Sequence, residues 1–184
     1  MSLLNIIDKY DENLKKPCAE WDFKENNYTT PDGINWTGEE LFNALRDKLI
    51  ASKALGLAAP QVGIFTRAFV IGNYSDPDSI IGIFNPIIAN IINEELVTME
   101  EGCLTFPGLY IKIKRPKSIK VRYANFNGEV NSFNFDGITA RIFQHELDHL
   151  DGTLYTLRAS NLHLVQARNQ MKQLNRMKKR NVKS

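Results

Sequence analysis

The stretch DGITARIFQHELDHLDG, residues 136–152, decides the fold that this sequence predicts. Apolar residues and histidines recur in it at helical spacing, and they share one face made of Ile138, Ile142, His145 and His149. Asp136 stands where a helix N-cap is expected, and Gly152 stands where a glycine would end the helix. We therefore expect a semi-buried helix that carries both histidines on one side.

The same helix contains a His-Glu-x-x-His pattern at residues 145–149. Side chains four residues apart face the same way on a helix, so His145 and His149 can hold one divalent metal ion. Glu146 lies one position further round and can reach a water molecule at the metal without being a ligand. An ordinary polar helix can match this pattern by coincidence, but two histidines beside a carboxylate are costly in a semi-buried helix unless something satisfies them. The pattern therefore favours a metal site.

The residues after this helix offer no convincing third ligand. Tyr155 stands where metzincin proteases have a third histidine, and no glutamate follows Glu146. The side chain of Asp151 would project away from the histidine face, and His163 lies beyond the predicted end of the helix. The third ligand must therefore be sought upstream.

Cys103 is the upstream candidate, in a loop predicted over residues 100–108 by its glycines and Pro107. Gly102 lets the backbone beside it approach a neighbouring element or a substrate closely. A thiolate and two imidazoles would leave one coordination position for water, as in catalytic metal sites. A lone cysteine is also commonly a small buried hydrophobe, so the residues alone leave both interpretations open for Cys103. Cys18 has no partner pattern and is interpreted as structural.

Residues 54–63, ALGLAAPQVG, form a third notable segment. Its small residues, Gly56 among them, would allow a substrate or another backbone to pack closely. Gln61 supplies an uncharged amide donor near its end. The alternative is an ordinary helix-to-strand turn with Gln61 in solvent.

The rest of the chain predicts an α+β fold, with antiparallel or mixed sheets around the central metal-binding helix. Thr37 and Glu40 form a capping-box pattern that opens a helix running to about Lys53. Short β-branched and aromatic runs predict strands over 67–71, 80–84, 95–99, 109–114, 118–124 and 130–135. Asn127-Gly128 predicts a tight hairpin, because both residues tolerate a positive φ. A last helix is expected from about Ser160 to Lys179, with an apolar stripe made of Leu164, Ala167, Met171 and Leu174.

Length and composition predict one domain over residues 1–184, since domains usually hold about 100–200 residues. Within it we expect an N-terminal extended segment and loop over about 1–36, and a basic helix and tail over about 160–184. Eight of the 23 Lys and Arg residues lie from Arg158 onward, where there is no Asp or Glu. The apolar residues 80–92 are too interrupted for a bilayer span, and the start lacks the features of a signal peptide. The sequence therefore predicts a cytoplasmic protein with reduced thiols, and with neither a membrane nor DNA as a partner.

Three segments together strongly resemble the peptide deformylase family. Its motifs Gly-x-Gly-x-Ala-Ala-x-Gln, Glu-Gly-Cys-Leu-Ser and Gln-His-Glu-x-Asp-His-Leu-x-Gly are matched, in order, at residues 54–61, 101–105 and 144–152. Two positions depart from the motifs: Ala54 replaces the first glycine and Thr105 replaces the usual serine. Neither departure removes a ligand or a proton carrier, so they bear on substrate preference rather than on the reaction.

The resemblance implies a hydrolase that removes the formyl group from N-formylmethionyl nascent peptides and releases formate. It implies one divalent metal ion, usually Fe²⁺ with Ni²⁺, Co²⁺ or Zn²⁺ tolerated, held by Cys103, His145 and His149. It further implies Glu146 as the general acid and base, and Gln61 and the backbone N–H of Leu104 as donors to the developing oxyanion. We expect Gly56 and Gly102 to contact the substrate. In bacterial members the terminal helix docks on the ribosome, which implies the same for residues 160–184.

Two other functions remain as alternatives. A peptide-bond metalloprotease could use the same His-Glu-x-x-His helix, although the missing downstream ligand argues against it. A non-catalytic, metal-stabilised module that binds ribosomal RNA is the second alternative. A structural metal site would normally be closed by a fourth Cys or His, and neither Cys18 nor His163 has ligand-like spacing.

Overall fold

The computed structural model describes residues 4–181, with side chains described for residues 4–178. Seven strands are formed, namely β1 (Asn27–Thr29), β2 (Asn35–Thr37), β3 (Gly56–Ala58), β4 (Ala68–Ile71), β5 (Ile81–Cys103), β6 (Phe106–Ala124) and β7 (Val130–Asp136). The α-helices are α1 (Gly38–Ser52), α2 (Gly137–Leu150) and α3 (Asn161–Asn181). Short 3₁₀ helices lie at Glu12–Lys15, Ala59–Val62, Pro77–Ser79 and Tyr155–Leu157. The predicted α+β class is confirmed.

The main sheet has five strands in the order β3-β4-β5-β6-β7, and every neighbouring pair is antiparallel. The sheets are therefore antiparallel rather than mixed. Strands predicted over 80–84 and 95–99 belong to the single strand β5, and those over 109–114 and 118–124 belong to β6. The register between β5 and β6 shifts at several points, beginning between Phe84 and Ile87, where Asn85 has a φ of 46°. Bulges of this kind absorb an extra residue without ending the strand, which is why Asn85-Pro86 bends β5 instead of terminating it.

Helix α1 forms as the capping pattern predicts. The Thr37 hydroxyl accepts a hydrogen bond from the Glu40 N–H, and the Glu40 carboxylate accepts one from the Thr37 N–H. These contacts satisfy donors that the first helical turn would otherwise leave free. Leu41, Leu45 and Leu49 are buried against β3 and β4.

Helix α2 packs on the opposite face of the same sheet. Ala140, Phe143 and Leu150 contact side chains of β4, β5 and β6 in a second apolar cluster. Asp136 occupies the N-cap position but makes no capping hydrogen bond, because its carboxylate accepts from the Ser118 hydroxyl instead. Gly152 has a φ of 68°, as expected of a residue that follows a helix end. The sheet therefore packs against α1 on one face and α2 on the other.

Helix α3 covers the inner face of β6 through its first half. Ala167 is buried with Ile111 and Ile113, and Leu164 and Met171 pack against the edge of this cluster. The predicted apolar stripe is wrong at Leu174, which is 47% exposed. Met177, further along the helix, is also exposed, so the second half of α3 is less covered than the first. The predicted basic tail extends to residues 182–184, which lie outside the described residues.

The N-terminal region contains more structure than the predicted extended segment. Strands β1 and β2 form a small antiparallel hairpin, and the 3₁₀ helix Glu12–Lys15 buries Leu14. The predicted hairpin at Asn127-Gly128 joins β6 to β7, but Gly128 is the one of the two residues with a positive φ. Among residues 4–181, no helix combines the length and apolar character needed to cross a membrane.

Candidate active site

Cys103 is the last residue of β5 and reaches the histidine face of α2. Leu104 and Thr105 form a two-residue turn, and Phe106 pairs with Cys103 across it at the start of β6. The predicted loop over 100–108 is therefore mostly strand, with a tight turn in the middle. A hairpin tip places the cysteine more firmly than a loop would, because ladder hydrogen bonds hold the residues on both sides.

The thiol and the two imidazoles converge. Cys103 Sγ lies 3.3 Å from His149 Nε2, and ligand atoms of Cys103, His145 and His149 all lie within 4.8 Å of one another. Within the described part of the chain, this is the one group of three or more metal-ligating side chains. Within the described residues the group comprises three donors, which is the composition of a catalytic site rather than of a closed four-ligand structural site.

The chemistry of this donor set fits a divalent metal ion. Burial alone would raise the pKa of the Cys103 thiol, but the positive charges and hydrogen bonds of His149 and His145 hold it well below its usual value. The thiolate is the form of cysteine that binds metals. His149 Nδ1 is buried without a hydrogen-bond partner among the described residues. The set combines soft sulfur with imidazole nitrogen, which suits zinc, iron, cobalt or nickel.

Glu101 orients His145 from behind. The His145 Nδ1–H donates to Glu101 Oε2 over 2.9 Å, which leaves Nε2 as the nitrogen free to bind a metal. Burial would raise the pKa of Glu101, but hydrogen bonds from His145 and Arg115 lower it to about 2. Glu101 is therefore a carboxylate at neutral pH even though its side chain is only 4% exposed.

A buried ion-pair network continues from Glu101 along α2. Arg115 donates to both Glu101 oxygens, at 2.7 and 2.9 Å, and to Asp148 Oδ2 at 2.7 Å. Arg141 donates to Glu101 Oε1, and Arg158 donates to Asp148 Oδ1. Two carboxylates are thus matched by three guanidinium groups, so each buried charge has a partner. The network ties β5, β6 and α2 together directly behind the cysteine and histidines.

Glu146 faces the cleft and lacks a partner. Its Oε2 is buried with no hydrogen-bond donor among the described residues. Burial raises the pKa of Glu146 to about 7, although the neighbouring histidines lower it. A carboxyl group that changes protonation near neutral pH is suited to general acid–base chemistry. Gly56 makes room for it, because a Cβ at Gly56 would lie 2.4 Å from Glu146 Oε1.

Gln61 is buried beside the cysteine, so the alternative in which it points into solvent is wrong. It lies in the 3₁₀ helix Ala59–Val62, and its side chain is held on both sides. The Oε1 atom accepts from the Ala58 N–H at 2.9 Å, and Nε2 donates to Cys103 Sγ at 3.3 Å and to Thr105 Oγ1 at 3.2 Å.

These groups open onto a cleft of about 450 Å³. Its lining includes every predicted site residue except His149, namely Gly56, Gln61, Gly102, Cys103, Leu104, His145 and Glu146. A Cβ at Gly102 would lie 2.7 Å from the ring of Tyr110, so a larger residue here would have to displace that exposed side chain. The structure therefore brings together, around one cavity, residues from three distant parts of the sequence.

Glu101 and Arg115 were not assigned a role from the sequence, and Thr105 was connected only with substrate preference. Glu101 lies two residues before Cys103, so on a strand both side chains face the same way; this spacing could have revealed it. Arg115 follows the inward-facing Leu109, Ile111 and Ile113 in strict alternation, and a charge at such a position signals a buried partner. Nothing in the sequence indicates that Thr105 contacts Gln61.

Comparisons with known proteins identify the family of this chain. A family model described as polypeptide deformylase matches residues 3–164. A peptide deformylase from Thermotoga maritima is 38% identical over 154 residues, which cover 84% of this chain and 77% of that protein. One from Prochlorococcus marinus is 46% identical over 115 residues, covering 60% of this chain and 56% of that protein.

Solved structures of peptide deformylases are also similar. The crystal structure from Thermotoga maritima aligns with a TM-score of 0.75 and 34% identity, over 87% of this chain and 99% of that one. The structure from Plasmodium falciparum aligns with a TM-score of 0.78 and 30% identity, over 95% of this chain and 97% of that one.

Proposed function

The chain belongs to the polypeptide deformylase family, and from that premise we propose that Cys103, His145 and His149 hold one divalent metal ion in the cleft. It is a hydrolase that removes the N-formyl group from newly made polypeptides. The observation that carries the residue assignment is the convergence of these three donors beside the unpartnered carboxylate of Glu146. We assign Fe²⁺ as the native ion because the family usually uses it. A thiolate and two imidazoles accept Fe²⁺, and they also accept Zn²⁺, Ni²⁺ and Co²⁺.

When bound, the ion supplies Lewis-acid chemistry, which polarises an oxygen atom and makes water more acidic. Glu146 takes the proton of the attacking water at Oε2, the oxygen that the described residues leave without a donor. It then delivers that proton to the nitrogen of the leaving amine. Its pKa of about 7 allows both transfers near neutral pH.

Gln61 and Leu104 act on the formyl oxygen. As the formyl carbon becomes tetrahedral, this oxygen gains negative charge, and the Gln61 amide and the Leu104 N–H donate hydrogen bonds to it. Preorganised donors of this kind are each worth about 2.7–4 kcal/mol in other hydrolases. An uncharged amide suits the position, because an ionised side chain would disturb the charge balance of Cys103 and Glu146. Gly56 and Gly102 allow the substrate backbone to approach the cleft wall.

The decisive experiment measures formate release from a formyl-Met-Ala-Ser peptide by anaerobically purified protein, with metal analysis of the same sample. We expect formate, one metal ion per chain, and no cleavage of the unblocked Met-Ala-Ser peptide. Cleavage of peptide bonds in the unblocked peptide would instead support the metalloprotease alternative. Loss of activity on exposure to air, with retention after reconstitution by Ni²⁺, would support Fe²⁺ as the native ion.

We further propose that the basic side of α3 contacts the ribosome. Arg168, Lys172, Arg176 and Lys178 are exposed, and Leu174 and Met177 are exposed beside them. The side chains of Lys179 and Arg180 lie outside the described residues. Cations on a projecting helix suit RNA phosphates, and such binding weakens steeply with salt. Because the substrates are newly made polypeptides, we expect the enzyme to act in the cytoplasm, where they emerge.

Co-sedimentation with ribosomes at increasing salt tests this contact. We expect the protein to pellet with ribosomes at low salt and to be released as the salt concentration rises. Absent or salt-independent pelleting would contradict the proposal, and the deformylase assignment would be unaffected.

A further inference from the structure

The side-chain amide of Gln61 makes three hydrogen bonds within the protein, although a donor to the substrate does not require them. Ala58, Cys103 and Thr105 each contact it, and the side chains of Gln61 and Thr105 are almost fully buried. A planar amide has one acceptor atom and two N–H groups. The Ala58 N–H therefore decides which end of the amide faces the cleft, and the remaining contacts decide where the two N–H groups point.

The two N–H groups have different acceptors. One reaches the hydroxyl oxygen of Thr105, and the other reaches the sulfur of Cys103. Cys103 lines the cleft and Thr105 does not, so the N–H on the side of the sulfur is the one that can turn to a substrate oxygen. The hydroxyl of Thr105 keeps the first N–H engaged and thereby fixes the plane of the amide.

We propose that Thr105 is a positioning residue, which acts through Gln61 by aiming one amide N–H at the reacting formyl oxygen. This inference rests on the proposed function, and in particular on Gln61 as a donor. Without the hydroxyl, the amide would remain attached at Ala58 but could rotate out of the plane in which it meets the oxyanion. Preorganised donors lose most of their effect when they must reorient during the reaction.

The β-branch of threonine adds to this effect. The departure from the family's usual serine keeps the hydroxyl and adds a methyl group. Two heavy atoms on Cβ restrict χ1, so threonine holds its hydroxyl in fewer positions than serine does. Thr105 therefore offers a stiffer support for Gln61 than serine would.

The test compares Thr105→Val, Thr105→Ser and Thr66→Val with the wild type in the metal-loaded enzyme. Thr66 is a matched control, because it is also fully buried and donates a hydrogen bond, here to the Ala19 carbonyl at 3.3 Å, away from the cleft. For T105V we expect kcat on a formyl-Met-Ala-Ser peptide to fall about tenfold, the equivalent of one neutral hydrogen bond, with KM within about twofold. For T105S we expect a fall of about twofold to threefold, since the hydroxyl remains. T66V should leave kcat unchanged.

A double variant separates positioning from a general structural role. If Thr105 acts through Gln61, then T105V should have almost no further effect on kcat in a Gln61→Ala background. Metal content and melting temperature of each variant are measured in parallel, and T105V should retain its metal. If T105V does not fold, Thr105→Ala removes the same hydroxyl without the branched side chain.

Three results would overturn the inference. These are a T105V variant as active as T66V, a tenfold loss that persists in the Q61A background, and a loss that is explained by lost metal. Absence of formate release by the wild type would instead refute the proposed function itself. Activity in the wild type together with any of the three results refutes the role of Thr105 alone.

Discussion

Helices α2 and α3 were both predicted from apolar residues at helical spacing, but α2 is mostly buried whereas several large apolar residues of α3 are exposed. Nine of the fourteen residues of α2 are buried, including the charged or ionisable Arg141, His145, Glu146, Asp148 and His149. In α3 the large apolar residues Leu162, Val165, Leu174 and Met177 are exposed. Helical periodicity thus identifies a face, whereas the surrounding elements determine whether that face is covered.

The reason lies in what packs around each helix. Helix α2 packs against several strands of the main sheet, including β3. Its buried polar groups must therefore find partners inside the protein. Arg115 from β6 and Glu101 from β5 supply them. Helix α3 packs mainly on the first half of β6, and beyond Met171 its large apolar residues Leu174 and Met177 are exposed. The two helices thus differ in surroundings: several polar groups of α2 are buried and paired, whereas the distal part of α3 is exposed.

The largest effect is expected at Glu146, the unpartnered group of α2. Glu146→Gln should lower kcat by about 10²–10⁴-fold, the usual range for loss of a general acid and base. Metal content should stay the same, because the variant keeps all three donors. The exposed Glu39→Gln variant, measured in the same formate assay, serves as the control. A Glu146→Gln enzyme with more than a tenth of wild-type activity would contradict the assignment.

The ion-pair network behind α2 should show the next largest effect. Glu101→Gln leaves Arg141 without a carboxylate and Arg115 with Asp148 alone, and breaking a buried pair costs about 3–5 kcal/mol of unfolding free energy. It also weakens the support of His145, for which we expect about 10–100-fold lower metal affinity. Urea unfolding and chelator competition measure the two effects.

An exposed ion pair provides the matched control for Glu101. Glu95 lies 3.5 Å from Lys117, and both side chains are about half exposed. Glu95→Gln should cost about 0–1 kcal/mol and leave metal affinity unchanged. Equal effects at Glu101 and Glu95 would mean that the buried network does not support α2.

Along α3, truncations should show where the supported part of the helix ends. Met171→Ala removes a half-buried side chain and should lower the unfolding free energy by about 1 kcal/mol, below the range for fully buried methionine. Leu174→Ala, one turn further, should change it by less than about 0.5 kcal/mol. Equal losses in urea unfolding would show that the distal turn is covered in solution.

The smallest effect on the enzyme itself is expected from charge reversal on α3. Lys172→Glu combined with Arg176→Glu should leave formate release from a short peptide within about twofold of the wild type. Both residues are exposed, and neither lines the cleft. Ribosome pelleting by the same variant should fall. Reduced activity on the short peptide would place α3 closer to the catalytic cleft than the structure does.

Much of the fold was predictable because its signals are local. The capping box at Thr37 and Glu40 and the leucine spacing of α1 depend on contacts within one helix. The division of β5 and β6 into shorter strands was wrong, because bulges at Asn85 and beyond let the ladder continue across residues that usually end a strand. Strands β1, β2 and β3 were missed, since three-residue strands are stabilised by their partners rather than by their own sequence.

The amino-acid sequence by itself determined which residues could bind a metal and move a proton, because these properties belong to side-chain chemistry and to spacing within a helix or a motif. The tertiary structure alone decided that Arg115 would bridge Glu101 and Asp148 and that Thr105 would contact Gln61. It also decided that Leu174 would stay exposed. Those outcomes depend on which atoms distant parts of the chain bring within a few ångströms, and these long-range contacts form only when the elements pack together.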